Sequence, residues 1–159
     1  MATEKWIAGS GVGLTWTALF GTEINSLPNG DAILGSVAVA NGTALDMFMD
    51  VSFALASVTT VGTPVLGLFL YPLNEDGSTY GDGRFGSAAA GPPPGNYLSG
   101  QAGLPVGTQA LTGLFRGFMS GPLIIPPGTF SAVLFNGAGV ALASSGNAIK
   151  YRTYNRQVA

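Results

Sequence analysis

Cysteine and histidine are both absent from this 159-residue sequence. Without cysteine, the chain forms no disulfide and offers no thiolate metal site. Without histidine as well, it lacks the Ser-His-Asp and Cys-His nucleophile arrangements and most zinc and copper sites. Carboxylate chemistry is what remains. We predict a protein that is not an enzyme and that carries no catalytic site, no cofactor and no metal.

Asp46 and Asp50 come nearest to a catalytic pair of acids, because they lie on the same face of a predicted strand. Four residues of strand separate them by roughly 13 Å. That distance is too long for a retaining glycosidase pair and somewhat beyond the inverting range. We interpret the two residues as solvent-facing acids on a half-buried strand.

Charged residues are also scarce, at 9% of the chain against about 25% in an ordinary soluble domain. A membrane would explain so uncharged a surface, but glycine or proline interrupts every long uncharged stretch before the roughly 20 apolar residues of a spanning helix. Coverage by protein explains it better, because the cores of interfaces are depleted in charge. We therefore expect protein partners and no membrane.

The charge balance and the first residues bear on partners and compartment. A net charge of -2 and a pI of about 4.7 argue against nucleic acid, whose binding proteins are usually basic. The start, MATEKWIAGSG, has no basic region followed by an apolar one, which predicts no Sec-type signal peptide. With the lack of cysteine, this indicates a cytoplasm-like compartment.

The length suits one domain, and no linker divides the chain, so we predict a single domain over 1–159. Residues 1–31 contain Trp6 and Trp16 among glycine, threonine and serine. They form either a first strand pair or an N-terminal arm. In the first case the two aromatics cap the open end of a sandwich, and in the second the arm reaches a neighbouring subunit.

A period of two dominates the rest of the chain and predicts strands. It begins with Ile33, followed by a hairpin-type turn at Asn41-Gly42. Segment 45–56 is the clearest strand, with its odd-numbered residues apolar. Segment 65–71 is apolar on both faces, which is typical of a central strand covered on both sides, by a second sheet and by a loop or neighbour.

Further strands are predicted at 98–109, where the strand is short and lies at an edge, at 110–119, 124–125, 129–136 and 147–154. No segment sustains a 3.6-residue period. About eight short strands separated by glycine and proline turns imply a β-sandwich or barrel, and a jelly roll is the usual way to close that many. The fold class is therefore all-β, a jelly-roll-like β-sandwich with one long Gly/Pro-rich loop.

That long loop, 70–97, is the first candidate contact surface. So long a segment without its own structure usually binds or packs against something. Its oxygen-rich parts, 74–77 and 82–83, could hold Ca²⁺, but their spacing does not match an EF-hand, so we interpret them as turns. Its candidate partner contacts are Asn74, Glu75, Asp76, Tyr80, Asp82, Arg84, Phe85 and Tyr97.

The last strand is the second candidate surface. Alternation places Lys150, Arg152 and Arg156 on one side of it, half of the six basic residues of the chain. Such a stripe is an ordinary outward face, a docking site for an acidic surface of a partner subunit, or a site for single-stranded nucleic acid. Three cations on an acidic protein give the last interpretation little support.

Several stretches together resemble small virion proteins of tailed bacteriophages. They are Tyr71 to Asn74, Tyr80 to Phe85, the Pro92-Pro93-Pro94 loop with Asn96-Tyr97, and the tail Ile149 to Arg156. The resemblance spans most of the chain and carries no catalytic motif. Proteins of this size in that setting look like capsid decoration (cement) proteins, several of which are jelly-roll or other β-sandwiches.

The resemblance implies a structural protein on the capsid exterior, made in the host cytoplasm, that clamps neighbouring copies of the major capsid protein. It also implies self-association as a homodimer or homotrimer. Asp82 and Arg84 are carried over only as members of the shared loop.

Two other functions remain open. A tail, fibre or head-tail component of the virion is also β-rich. A carbohydrate-binding module would need Trp6, Trp16, Tyr80 and Tyr97 exposed and coplanar for sugar stacking.

Overall fold

The protein is a sandwich of two antiparallel β-sheets. The computed structural model describes residues 4–7, 14–56, 59–80, 89–105 and 115–158. Two single-turn 3₁₀ helices, Thr22–Ile24 and Gly95–Tyr97, are the helices of this part of the chain. The strands are β1 Glu4–Ile7, β2 Thr17–Ala18, β3 Asp31–Asn41, β4 Phe48–Leu55, β5 Val65–Pro72, β6 Ala89–Ala90, β7 Leu98–Gly103, β8 Phe115–Phe118, β9 Leu123–Ile124, β10 Gly128–Gly137 and β11 Ala148–Val158.

The strand order confirms the predicted all-β, jelly-roll-like sandwich. One sheet has the order β1-β11-β4-β8, with β2 also on β11 and β9 also on β4. The other has the order β6-β3-β10-β5-β7. The chain changes sheet at each step from β3 to β4 to β5, and again from β9 to β10 to β11. Successive strands therefore often face each other across the core. The described strands exceed the predicted eight by β1, β2 and β6. β1 and β2 belong to residues 1–31, for which a strand pair is one of the two predicted alternatives.

The predicted hairpin at Asn41-Gly42 is wrong, because this turn carries the chain from one sheet to the other. Asn41 ends β3 and is buried. Its side-chain amide donates to the carbonyls of Asp46 and Pro126 at 2.8 and 3.0 Å, and its Oδ1 accepts from the Asp46 N–H at 2.7 Å. Asn41 thus organises a crossover, where β3 and β4 bury their apolar faces against each other.

The main core lies between the sheets. Met49, Val51, Phe53 and Leu55 of β4 are buried, which confirms the predicted alternation for that part of segment 45–56. The same alternation fails at Leu45 and Met47, which are 58% exposed each, because β4 begins only at Phe48. The opposing sheet contributes Leu66, Leu68, Leu70, Phe130, Ala132 and Leu134.

A second apolar cluster covers the other side of the five-stranded sheet. It contains Ala32, Leu34, Phe69, Tyr71 and Val133, with Tyr80, Tyr97 and Phe135 packed against it. Strand β5 therefore has apolar contacts on both faces, and it lies between β10 and β7. This confirms the prediction of a central strand covered on both sides, and of the two predicted covers, loop or neighbour, the structure shows the loop.

The remaining strand predictions are confirmed in position and adjusted in length. β7 is an edge strand, as predicted, but its described part ends at Gly103. The strand predicted over 110–119 is present at 115–118, and residues 106–114 lie outside the described residues. β1 and β2 both pair with β11, so in the described part of 1–31 the chain adds to its own six-stranded sheet.

The side chain of Asn136 connects β10 to the loop that follows it and to the loop before β3 through hydrogen bonds. It is fully buried, donates to the carbonyls of Leu27 and Val140 at 2.9 Å each, and accepts from the Ala138 N–H at 3.0 Å. Asn136→Ala leaves these buried groups without partners. We expect the free energy of unfolding to fall by about 3 kcal/mol in urea titrations.

Asn74→Ala serves as the control, because Asn74 is exposed and its side chain donates one hydrogen bond, to Thr79, at 3.0 Å. Asn74→Ala should lower the free energy of unfolding by less than about 1 kcal/mol. Equal losses for the two variants would contradict the role given to Asn136.

Candidate docking face

The outer face of the six-stranded sheet is the candidate functional site. Because residues paired across antiparallel strands point to the same side, the register shows which side chains share this face. Phe48 pairs with Tyr154 and Ile124, Asp50 with Arg152, and Ser52 with Lys150 and Phe118. Ala54 pairs with Ala148 and Arg116, and Trp6 with Arg156. We call this set the outer face.

One end of the outer face, the aromatic end, is a cluster of three rings. Trp6 lies edge to face with Tyr154 at 5.1 Å and with Phe48 at 6.3 Å between ring centroids. Phe48 stacks on Tyr154 at 5.9 Å. Tyr154 is buried beneath its neighbours, whereas Trp6 is 54% exposed and the adjacent Ile124 is 78% exposed. The aromatic end is thus a supported apolar surface open to solvent.

Asp50 lies at the centre of the outer face and holds two neighbours in place. Its Oδ2 accepts from Nε and Nη2 of Arg152 at 2.9 and 2.8 Å, and its Oδ1 accepts from the Tyr154 hydroxyl at 2.8 Å. The Arg152 guanidinium in turn lies 4.8 Å from the centre of the Trp16 ring. An arginine held by a carboxylate and stacked on an indole loses less conformational freedom when a partner binds.

The other end of the outer face, the basic end, combines cations with small side chains. Lys150 and Arg116 are both exposed. Between their strands, β4 contributes only Ser52 and Ala54 to this side. Phe118, 63% exposed, borders the basic end and lies 5.9 Å from Trp16. Because the Trp16 ring lies near both Arg152 and Phe118, it borders this surface on the Ser52 side. The small residue left between the two cations is Ala54.

The structure confirms that Lys150, Arg152 and Arg156 share one face, and it adds Arg116 from a neighbouring strand. Arg156 also lies 5.7 Å from the centre of the Trp6 ring. Four of the six basic residues of the chain are thus gathered on the outer face, with Asp50 as its acid among the described side chains. Sequence reasoning placed Arg116 on a strand but could not pair that strand with β4.

The interpretation of Asp46 and Asp50 as solvent-facing acids is wrong. Asp50 is half-buried in the network with Arg152 and Tyr154. Asp46 is 4% exposed, precedes β4, and accepts from Asn155 Nδ2 at 3.0 Å. Both acids serve to hold neighbouring chain segments together, because a buried carboxylate needs hydrogen-bond donors.

The long loop begins with a compact hairpin, residues 73–80, closed by a bridge between Leu73 and Tyr80. Asp76 Oδ1 accepts from the N–H groups of Ser78 and Thr79 at 2.8 Å each, and its Oδ2 accepts from the Thr79 hydroxyl. The Thr79 hydroxyl, followed by these N–H groups, lowers the pKa of Asp76 to about 2. Asp76 is thus held within the turn, and together with Glu75 it forms an exposed anionic tip, with Asn74 at its base.

The later part of the loop packs against the chain itself. Tyr97 is half-buried, with its ring 4.6 Å from that of Tyr71, and Tyr80 is half-buried in the same cluster. β6 pairs with β3, and Pro93 is buried. The predicted contacts Asp82, Arg84 and Phe85 lie outside the described residues.

A platform of four coplanar aromatics for sugar stacking is not formed. Trp6 and Trp16 belong to the outer face of the six-stranded sheet, whereas Tyr80 and Tyr97 pack on the five-stranded sheet. The hypothesis that Trp6, Trp16, Tyr80 and Tyr97 form one platform for a sugar is therefore wrong.

A separate apolar cavity of about 150 Å³ lies at the end of the sandwich, beside the crossover from β3 to β4. Leu45, Met47 and Ile124 line it, and all three side chains are more than half exposed. Leu45 has a φ of 48°, in the left-handed region that costs a branched side chain free energy.

The described residues contain neither a cluster of metal ligands nor a membrane-spanning helix. Across 4–7, 14–56, 59–80, 89–105 and 115–158, no group of three or more acidic side chains could hold a metal ion. Neither 3₁₀ helix of the described chain has the length or the apolarity to cross a membrane.

The chain matches no protein-family model, no curated protein and no solved structure. These comparisons therefore do not indicate what the outer face binds.

The Asp50 network makes a prediction at high pH. Burial, and then the hydrogen bond and negative charge of Asp50, raise the pKa of Tyr154 from 10.0 to about 12. The folded state thus favours the neutral phenol, so its contribution to stability is complete below pH 10 and is lost between pH 10 and about 12. We expect the wild type to lose more stability over this range than Tyr154→Phe, in urea titrations.

Asp50→Asn is the matched variant for the same titration. Removing the negative charge should move the Tyr154 pKa back toward 10.0. The absorbance of tyrosinate should then appear at a lower pH than in the wild type. A pKa of Tyr154 that is the same in Asp50→Asn and the wild type would contradict the coupling.

Leu45 makes a second prediction. Leu45→Gly removes the cost of a left-handed leucine whose side chain is mostly exposed, so the free energy of unfolding should rise by about 1 kcal/mol. Met47→Gly is the control, since Met47 is equally exposed and does not have a positive φ. It should destabilise, because glycine adds entropy to the unfolded chain. Destabilisation by Leu45→Gly would show that its side chain packs more tightly than its exposure indicates.

Proposed function

We propose that this protein is a structural virion component, a capsid decoration (cement) protein that docks on the outer surface of the major capsid lattice. The single observation that carries docking is the aromatic end of the outer face, where Trp6 and Ile124 are exposed on a rigid sheet. Interfaces are enriched in aromatic residues and arginine and depleted in other charges. A few such anchors supply most of the binding energy of an interface.

The lattice as the partner rests on the resemblance to small virion proteins, and the residues are compatible with it. Asp50 fixes Arg152 and Tyr154 beneath the exposed rings, so the surface is ordered before binding. A preorganised surface loses less entropy on docking. The protein would act by burying area across capsomer joints, so that opening the lattice must also break its contacts.

The proposal needs no catalysis, cofactor, nucleic acid or membrane. It places the protein on the capsid exterior after synthesis in the host cytoplasm, with the major capsid protein and further copies of itself, as a homodimer or homotrimer, as partners. A tail, fibre or head-tail location would use the same surface.

Carbohydrate binding through four coplanar aromatics is excluded, but sugar binding at Trp6 alone is a second candidate, on one observation. Trp6 is 54% exposed and borders a cleft of about 130 Å³ with Leu14, Asp50, Arg152 and Tyr154. An exposed indole beside polar groups is the arrangement that stacks on a sugar ring. This candidate predicts binding of a soluble glycan by the monomer.

Cryo-electron microscopy of the particle that carries the protein tests the proposal. We expect density on the icosahedral lattice, with the aromatic end of the outer face against the major capsid protein. Trp6→Ala with Ile124→Ala should reduce occupancy by at least about tenfold, because hot-spot truncations cost about 2 kcal/mol or more.

Leu98→Ala is the matched control, since Leu98 is 39% exposed but lies on β7 of the other sheet. It should dock as the wild type does. Density confined to the tail would move the protein to the alternative location, and unchanged occupancy of the Trp6→Ala, Ile124→Ala variant would overturn docking through the outer face.

A further inference from the structure

Two surface features of this chain carry charge of opposite sign. The outer face gathers Arg116, Lys150, Arg152 and Arg156, and Asp50 is the acid among its described side chains. The hairpin at 73–80 presents Glu75 and Asp76 at an exposed tip. The hairpin extends β5 of the five-stranded sheet, whereas the outer face belongs to the other sheet, and the core lies between these sheets.

We propose that the acidic hairpin tip of one copy docks on the basic end of the outer face of a neighbouring copy. The contact does not depend on the proposed docking to a capsid, because it uses the basic end, while the lattice contact uses the aromatic end.

The shape of the basic end suits a turn. Lys150 and Arg116 lie on β11 and β8, on either side of β4, so their strands are about 10 Å apart. Ala54, the residue of β4 that pairs with Arg116, is small, and the Trp16 ring borders the site on the side of Ser52. A narrow turn can therefore approach the floor of the sheet while the two long cationic side chains close on its carboxylates from both sides.

The hairpin tip is preorganised for such a contact. Its backbone is closed by hydrogen bonds from Asn74 N–H to the Thr79 carbonyl at 2.8 Å and from Gly77 N–H to the Asn74 carbonyl at 3.0 Å. Asp76 is engaged with Ser78 and Thr79, so it shapes the turn, and Glu75 is the exposed acid next to it. We assign the direct contact with the cations to Glu75.

A second copy explains the charge separation better than nucleic acid does. The chain carries a net charge of -2, which repels a long polyanion, and Asp50 interrupts the cations at the centre of the face. A short acidic turn meets only the local cations. Because tip and face are different surfaces, the contact is head-to-tail, and it closes into a ring such as a trimer or continues as an open chain.

Sedimentation of the purified chain at low and high salt tests the contact. We expect association at about 0.01 M salt and dissociation at about 1 M, where the Debye length falls to about 3 Å. Glu75→Lys alone, and Arg116→Glu with Lys150→Glu, should each weaken association by at least about tenfold, because like charges then face each other. Asp76 is left unchanged in all variants, since it forms the turn.

Mixing the two variants gives the decisive result. The acidified face of the Arg116→Glu, Lys150→Glu variant then meets the basic tip of the Glu75→Lys variant. The unchanged face of the Glu75→Lys variant likewise meets the unchanged tip of the other. Association should return in the mixture at low salt. A wild type that stays monomeric at about 0.1 mM protein, or a mixture that does not associate, overturns the proposal.

Two further variants separate this contact from capsid docking. Trp6→Ala with Ile124→Ala should keep self-association, because both residues belong to the aromatic end. Arg116→Glu with Lys150→Glu should still bind capsids while remaining monomeric in solution. If the Arg116→Glu, Lys150→Glu variant self-associates as the wild type does, the basic end is not the contact between copies. This conclusion holds whether or not the variant binds capsids.

Discussion

The pairing of β4 with β11 is the constraint on which the rest of this structure depends. On the inner side, the register places Met49, Val51 and Phe53 beside Ile149 in the core. On the outer side, the same register sets Asp50 opposite Arg152 and Phe48 opposite Tyr154. Because side chains alternate along a strand, a slip of one residue would move the apolar set to solvent and bury the ion pair. Core and candidate site are thus specified by one interaction.

The two outer faces of the sandwich differ in how far the chain itself covers them. The five-stranded sheet is covered by its own long loop, through Tyr80 and Tyr97. The outer face of the six-stranded sheet keeps Trp6, Phe118 and Ile124 more than half exposed in the described chain. Exposed aromatics with gathered arginines are typical of surfaces that a partner covers. The low overall charge of the chain is consistent with the proposed docking, since the cores of interfaces are depleted in charge.

Asp50 links the two central strands of the sheet to the surface that is proposed to dock. Its carboxylate binds Arg152 and the Tyr154 hydroxyl, and these groups support Trp16 and the exposed ring of Trp6. The network is therefore both a tie between β4 and β11 and the base of the aromatic end. The hydrogen bonds of Asp50 thus hold the aromatic end in place while Trp6 stays exposed to solvent.

The sequence by itself determined the fold class and the positions of the long strands, because apolar residues at every second position have no other way to be buried together. It also determined that Lys150, Arg152 and Arg156 share one side of β11. Only the tertiary structure decided that Arg116 and Trp6 join them, that Asn41-Gly42 is a crossover, and that Asp46 is buried. Alternation along a strand reports which side a residue takes, but the partner strand is chosen by long-range packing, which no local pattern contains.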